Sequence, residues 1–264
     1  MALAGQRIAG IEAGLRCVVT AGARGIGRAI ADALIAHGAR VIVSDIDDAA
    51  LADFRTAHPD HPAVHADAGS EAGTRQLFTA VRDDLGGLDL LVNNAGIAGP
   101  TAAVEEISTE AWQQTVDVNM TGHFFALREA VPLLKEGQNG SIVMISSVAG
   151  RLGYAYRLPY AATKWAVVGM AKSLAIELGG YGIRVNAVLP GVVEGPRIDG
   201  VIRARAETLG ISFEAMRERY LEKTSLQRMV TADDIVNMVL FLVSPMGRNV
   251  SGQALSVCGD VWSI

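Results

Sequence analysis

Residues 159–170 read PYAATKWAVVGM and place Tyr160 four positions before Lys164, at the head of an otherwise apolar helical stretch. Four residues is about one helical turn, so the phenol and the ammonium share a face. A free tyrosine has a pKa near 10, too high for a base at neutral pH. An ammonium about 4 Å away, at an effective dielectric of about 20, favours the phenolate by up to about 4 kcal/mol, or roughly three pKa units. The chemistry open to such a pair is proton transfer to or from an oxygen of a bound molecule. A Tyr and a Lys one turn apart also occur on solvated helix ends, so the pair gains meaning only from its setting.

A second cluster lies near the amino terminus. TAGARGIGRAI, Thr20 to Ile30, carries Gly22, Gly25 and Gly27 between an apolar strand-like run and a helix-like one, with Arg24 and Ile26 interleaved. Glycines there let the backbone turn sharply and approach a ligand, while unpaired amides at a helix start attract a pyrophosphate. Arg28 follows Gly27 where a Walker loop needs Lys and then Ser or Thr, so a nucleoside triphosphate loop is excluded. About 20 residues on, VIVSDID sets Asp45 at the tip of a second strand. A carboxylate there accepts hydrogen bonds from ribose hydroxyls and repels a 2′-phosphate, which favours NAD over NADP, although Arg24 could pair with that phosphate.

The elements that must position these groups alternate regularly. Short β-branched runs at 17–20, 40–44, 63–65, 88–92, 141–145, 184–189 and 254–257 are separated by helix-length stretches at 26–37, 73–85, 109–134, 160–178 and 232–242. The pattern predicts an α/β protein, a Rossmann-type doubly wound parallel sheet of about seven strands with helices on both faces. No Pro-, Gly- or Ser-rich linker divides the 264 residues, so 15–264 reads as a single domain after a loose extension over 1–14. Residues 195–225, rich in Arg and Glu, interrupt the alternation and are expected to form a lid over the carboxyl edge of the sheet.

Composition narrows the function classes. A formal net charge of -5 with scattered basic residues gives no footprint for nucleic acid or an anionic membrane. No apolar run is long enough for a membrane span or a secretory leader. Cys17 and Cys258, far apart in apolar runs, read as reduced, buried thiols of a cytoplasmic protein, and the five histidines lack metal-ligand spacing.

Further motifs follow in order: Asn94, Ala95 and Gly96 of NNAG after the fourth strand, Asn119 in TVDVNMTG, Ser146 and Ser147 at the end of the fifth, Tyr160 and Lys164, then Pro190-Gly191. This order resembles the short-chain dehydrogenase/reductase family in its compact branch, from about Leu15 to the GQALSVCGD segment. The resemblance implies that Tyr160 is the general acid/base and Ser147, thirteen positions earlier, holds the substrate oxygen. It further implies that Lys164 is electrostatic partner and cofactor ligand, and that Asn119 holds a proton-relay water. Asp67 and Ala68 would meet the adenine, and Pro190, Gly191 and the backbone of Val193 the nicotinamide side. Ala21 stands where the family has a glycine, and Gly195 where it often has a threonine.

The activity implied is interconversion of an alcohol and a carbonyl on a small organic substrate, with NAD and without metal. The alternatives are an NADPH-linked 3-oxoacyl thioester reductase, permitted by Arg24, and a non-catalytic dinucleotide sensor, for which an intact Ser147, Tyr160 and Lys164 would be superfluous. Tyr154, Tyr156 and Arg157, with Arg197, Arg203 and Arg205 from the lid, are expected to line the substrate pocket and suit a ring or an anion. The helix from Tyr160 is apolar on nearly all sides and needs a second burial partner. A homotetramer, as the resemblance implies, supplies it.

Overall fold

The computed structural model describes residues 11–137 and 139–263. Of the expected 1–14 extension, residues 1–10 lie outside that range. Residues 11–14 close a turn in which Gly14 N donates to Gly38 O at 2.7 Å, and Ile11 packs against the core.

Seven strands form one parallel sheet: β1 (Arg16–Val19), β2 (Arg40–Asp45), β3 (Ala63–His65), β4 (Leu90–Asn93), β5 (Ser141–Ile145), β6 (Arg184–Pro190) and β7 (Ala254–Val257), in the order β3-β2-β1-β4-β5-β6-β7. Because side chains alternate across a strand, the uniformly apolar runs feed two cores. Cys17, Val19, Val41, Val43 and Val92 face α1 (Gly25–Ala36), α2 (Asp48–Ala57) and α9 (Ala232–Val243). Val18, Ile42, Leu91, Ile142 and Met144 face α3 (Glu71–Ala80), α5 (Gly122–Glu136) and α6 (Leu158–Leu178). Cys17 is buried as expected, but Cys258, just past β7, is only half-buried.

The stretch 109–134 is not one helix. It comprises α4 (Thr109–Val116), a π-helical segment Asp117–Thr121, and α5. A π turn accommodates one extra residue without losing the apolar face, so periodicity reads straight through it. The short helix α2 was not expected; Asp47 caps it, its side chain accepting from Ala50 N at 3.1 Å.

Residues 195–225 fold as two helices, α7 (Pro196–Leu209) and α8 (Phe213–Glu222), which bury a small core of their own from Ile202, Ala206, Met216 and Tyr220 with Val192 and Met229. All seven strands run the same way, so their carboxyl ends share one edge. The chain winds outward from β1 to β3 and then from β4 to β7, and the reversal opens a crevice between β1 and β4, the position where open α/β sheets bind ligands.

Candidate active site

Two loops meet in that crevice. After β1, Thr20 Oγ1 accepts from the backbone N–H groups of Asn94 and Ala95 at 2.9 and 3.0 Å, while Asn94 Nδ2 donates to Thr20 O and Ala21 O at 3.0 and 3.1 Å. The glycine loop and the NNAG loop are thus fastened edge to edge. A Cβ at Gly27 would collide with Ala21 O and Asn94 Nδ2, so only glycine lets α1 begin this close to the turn. Ala21, where the resemblance leads one to expect glycine, adopts φ 47°, a left-handed conformation that an L side chain enters at a cost. The amino end of α1 has Arg24 at the capping position and no side-chain cap, which leaves first-turn amides for an anion.

Asp45 closes the crevice at the tip of β2. Its Oδ1 accepts from Ile46 N and Asp47 N at 2.9 and 3.2 Å, while its buried Oδ2 has no partner among the described residues. A buried carboxylate oxygen without a donor fits a ligand hydroxyl, and the glycine loop fits a pyrophosphate, so the crevice suits a nicotinamide dinucleotide. Arg24 is engaged by acids: Nη1 lies 2.9 Å from Asp47 Oδ2 and Nε 4.0 Å from Asp45 Oδ1.

The remaining predicted contacts ring the same edge. Asp67 is exposed after β3, with Oδ1 accepting from Gly69 N at 2.8 Å, and Ala68 O packs against Gly122 at the start of α5. Gly191 N donates to Val257 O at 2.9 Å directly after Pro190. Val193 forms a parallel bridge with Val230 in which Val230 bonds to Val192 O and Glu194 N, so the N–H and C=O of Val193 itself turn the other way.

At the centre stand the residues with acid–base chemistry. α6 starts with Pro159 in its first turn and carries Tyr160 and Lys164 inward. Lys164 is buried, its Nζ donating to Ile145 O at 3.0 Å and lying 5.7 Å from the centre of the Tyr160 ring. Tyr160 keeps a partial opening to solvent within dense surroundings. Burial alone would raise its pKa. The Lys164 charge, with Arg197, a hydrogen bond from Ser147 and the Arg157 charge, outweighs that and brings it below the ordinary phenol value. Burial lowers Lys164 to about 8, against the pull of Tyr160, with Arg197 adding to the depression.

The two serines separate by geometry. Ser147 faces Tyr160 and accepts from Ala149 N at 3.1 Å, whereas Ser146 Oγ donates to Lys164 O at 2.8 Å and ties β5 to α6. Asn119 sits in the π segment, a common placement for functional residues. Its side chain is taken up: Oδ1 accepts from Ile97 N at 2.7 Å, and Nδ2 donates to Ile97 O at 3.0 Å and Thr163 Oγ1 at 3.3 Å.

Of the predicted pocket residues, Tyr154 and Arg157 lie beside Tyr160, and Arg197, exposed in the first turn of α7, acts on both Tyr160 and Lys164. Tyr156 stands apart at φ 64°, lining a cavity of about 750 Å³ with Val104, Leu152, Leu158 and Trp165. Neither Tyr160 nor Ser147 lines that cavity, which flanks the site. Sequence reading overlooked Thr20, Thr163 and His123. Buried His123 bonds through Nε2 to Ala95 O at 3.1 Å, and burial and then the Lys164 charge lower its pKa to about 3. Each of the three has a partner distant in sequence, which the motifs around Thr20 and Thr163 do not announce.

Comparison with known proteins places this geometry. A family model described as enoyl-(acyl carrier protein) reductase matches residues 20–259. D-beta-hydroxybutyrate dehydrogenase of Cupriavidus necator is 35% identical over 251 residues, covering 93% of this chain and 97% of that one. Among solved structures, an NAD+-bound xylitol dehydrogenase superposes with a TM-score of 0.89 at 25% identity, covering 94% of this chain and 99% of that one. The actinorhodin polyketide ketoreductase with NADPH gives 0.87 at 34% identity, covering 93% and 96%. With the sheet, the crevice and these relatives in agreement over nearly its whole length, the chain belongs to the short-chain dehydrogenase/reductase family of oxidoreductases.

Proposed function

We propose that the protein is an NAD-dependent oxidoreductase interconverting an alcohol and a carbonyl on a small organic substrate, with Tyr160 as general acid/base. The observation that carries this reading is the Tyr160 phenol, held below its ordinary pKa beside buried Lys164 and hydrogen-bonded by Ser147. In the oxidative direction Tyr160 takes the hydroxyl proton of the alcohol, and in the reductive direction it returns the proton to the carbonyl oxygen. Ser147 hydrogen-bonds the same oxygen, and Lys164 balances the phenolate. A bound nicotinamide accepts or donates the hydride. Gly22, Gly25, Ile26 and Gly27 would hold the pyrophosphate, Asp45 the ribose, Asp67 and Ala68 the adenine. Asn94, Ala95, Gly96, Lys164, Pro190, Gly191 and Val193 would hold the nicotinamide half. Asn119 anchors the loop after β4 to α6 and keeps the assigned relay role, while α7 and α8 act as the lid.

The unpartnered Asp45 Oδ2 and the pairing of Arg24 with Asp47 support NAD. A second reading, an NADPH-linked 3-oxoacyl thioester reductase, has one observation in its favour, the likeness to the NADPH-bound polyketide ketoreductase. Among the described residues no helix is long and apolar enough to cross a membrane. We place the protein in the cytoplasm as a homotetramer.

Tyr160→Phe tests the assignment. Turnover of any alcohol found active should fall by at least about 100-fold while NADH binding, followed by fluorescence, stays intact. A variant that keeps wild-type turnover rules Tyr160 out.

A further inference from the structure

Half-buried Arg16 and Arg28 each meet a carboxylate, Asp89 at 2.7 Å and Asp32 at 2.6 Å. Beside Tyr160 that pattern fails. Arg157 is 2% exposed; its Nη2 donates to Ala98 O at 2.7 Å, but Nε and Nη1 have no acceptor among the described residues. Its guanidinium carbon lies 5.1 Å from the ring centre of Tyr160 and 5.2 Å from that of Tyr154. Arg205, 6% exposed, stacks on Tyr154 at 5.2 Å and donates through Nη1 to Tyr220 Oη at 3.3 Å, with Nε unpartnered. Arg197, exposed in the first turn of α7, is near enough for its charge to act on Tyr160 and Lys164. No carboxylate among the described residues forms an ion pair with any of the three arginines.

An enclosed guanidinium without a counter-charge is strongly disfavoured, and stacking on phenol rings compensates only in part. Lys164, Arg157 and Arg197 all act on one acidic phenol, and Arg205 stacks on neighbouring Tyr154, so even a full Tyr160 phenolate leaves the site cationic. The unsatisfied nitrogens of Arg157 are donors without acceptors, and a planar carboxylate matches a guanidinium best. Tyr154 does not supply the missing charge: burial raises its pKa, and its hydroxyl is bonded to Tyr220 Oη at 2.6 Å.

We propose that the substrate is a hydroxy acid, or the corresponding oxo acid, whose carboxylate seats on Arg157 with Arg197 at the mouth, while its carbinol oxygen meets Tyr160 and Ser147. The inference rests on the oxidoreductase reading above and adds to it the substrate class. Tyr154 and Arg205 position Arg157, one by stacking on its guanidinium and the other by stacking on the same tyrosine ring.

The test is a kinetic panel of hydroxycarboxylates, each paired with its neutral primary amide, run with NAD and with NADP. The wild type should prefer the acids by about tenfold or more in kcat/KM. Arg157→Met should bring the acid-to-amide ratio close to one, and Arg157→Lys should restore part of it. Arg197→Gln, an exposed change that spares folding, should raise KM for the acids more than for the amides. Amides turned over as well as acids by the wild type overturn the carboxylate assignment and leave the oxidoreductase reading standing. A ratio unmoved in both Arg157→Met and Arg197→Gln does the same. Absence of turnover across the panel, with NADH still bound, overturns the hydroxy-acid assignment, and only a further failure with neutral alcohols overturns the oxidoreductase reading as well.

Discussion

At the residue scale the site works through differences in how fully each polar group is satisfied. Thr20, Asn94 and Asn119 spend their side chains on the protein and so make rigid walls. Asp45 Oδ2 and two nitrogens of Arg157 are left without partners among the described residues, which is where the proposed cofactor and substrate would bind. Asp45 therefore decides the cofactor in this account. Asp45→Ser removes the carboxylate that repels a 2′-phosphate and loosens Arg24, so the ratio of kcat/KM with NADP to that with NAD should rise by at least about tenfold, within the reach of one charged hydrogen bond. An unchanged ratio would remove Asp45 from cofactor choice. Asp45 was legible in the sequence because the glycine loop and the acid share one short βαβ unit. His123 was not, because its role consists of packing under Ala95, 28 residues away.

At the scale of elements, strands were read more faithfully than helices. Each apolar run became a strand: those at 63–65, 141–145 and 254–257 keep their bounds, and the others shift by a residue or two, β4 starting at Leu90 where Leu88 was expected and β1 ending at Val19. Helices lost detail where composition hides geometry, at the π segment around Asn119 and in α2, whose mixed AALADFRT has a weak apolar face. Residues 195–225 resolved into two helices because Gly210 takes a left-handed turn and Ser212 caps α8. Ala21 was identified as a departure from the family pattern, and its positive φ gives the departure a physical consequence. Ala21→Gly relieves the left-handed strain and should stabilise the fold by about 1 kcal/mol, seen as a rise of about 2–4 °C in Tm. A lowered Tm would mean that the turn is unstrained.

At the scale of the whole molecule, the sheet edge gathers the ends of six strands into one crevice, and α6 links that crevice to the outside. One side of α6 carries Lys164 and Val167 inward, while Trp165 and Ile176 remain 52% and 86% exposed, and Phe124 on α5 is 48% exposed. Large apolar groups left outside on two long helices suit a symmetric interface that would also brace Tyr160 and Lys164. Multi-angle light scattering at micromolar concentration should give about four times the 27.7 kDa of one chain. A mass of one chain contradicts the assembly. The arginine cluster was only partly legible: the arginines were visible as a group, but the burial of Arg157 and Arg205 arises in the fold, where Tyr154 packs against the core of α7 and α8.

The most direct measurement is the pH dependence of kcat/KM for alcohol oxidation in the wild type and in Lys164→Met. Oxidation needs the phenolate, so the rate rises with pH through the pKa of Tyr160. The wild-type limb should lie below 10, the pKa of a free phenol, and should move to higher pH once the ammonium is gone. A wild-type limb at 10, or one that stays in place in the variant, contradicts the claim that Lys164 makes Tyr160 acidic enough to carry the proton.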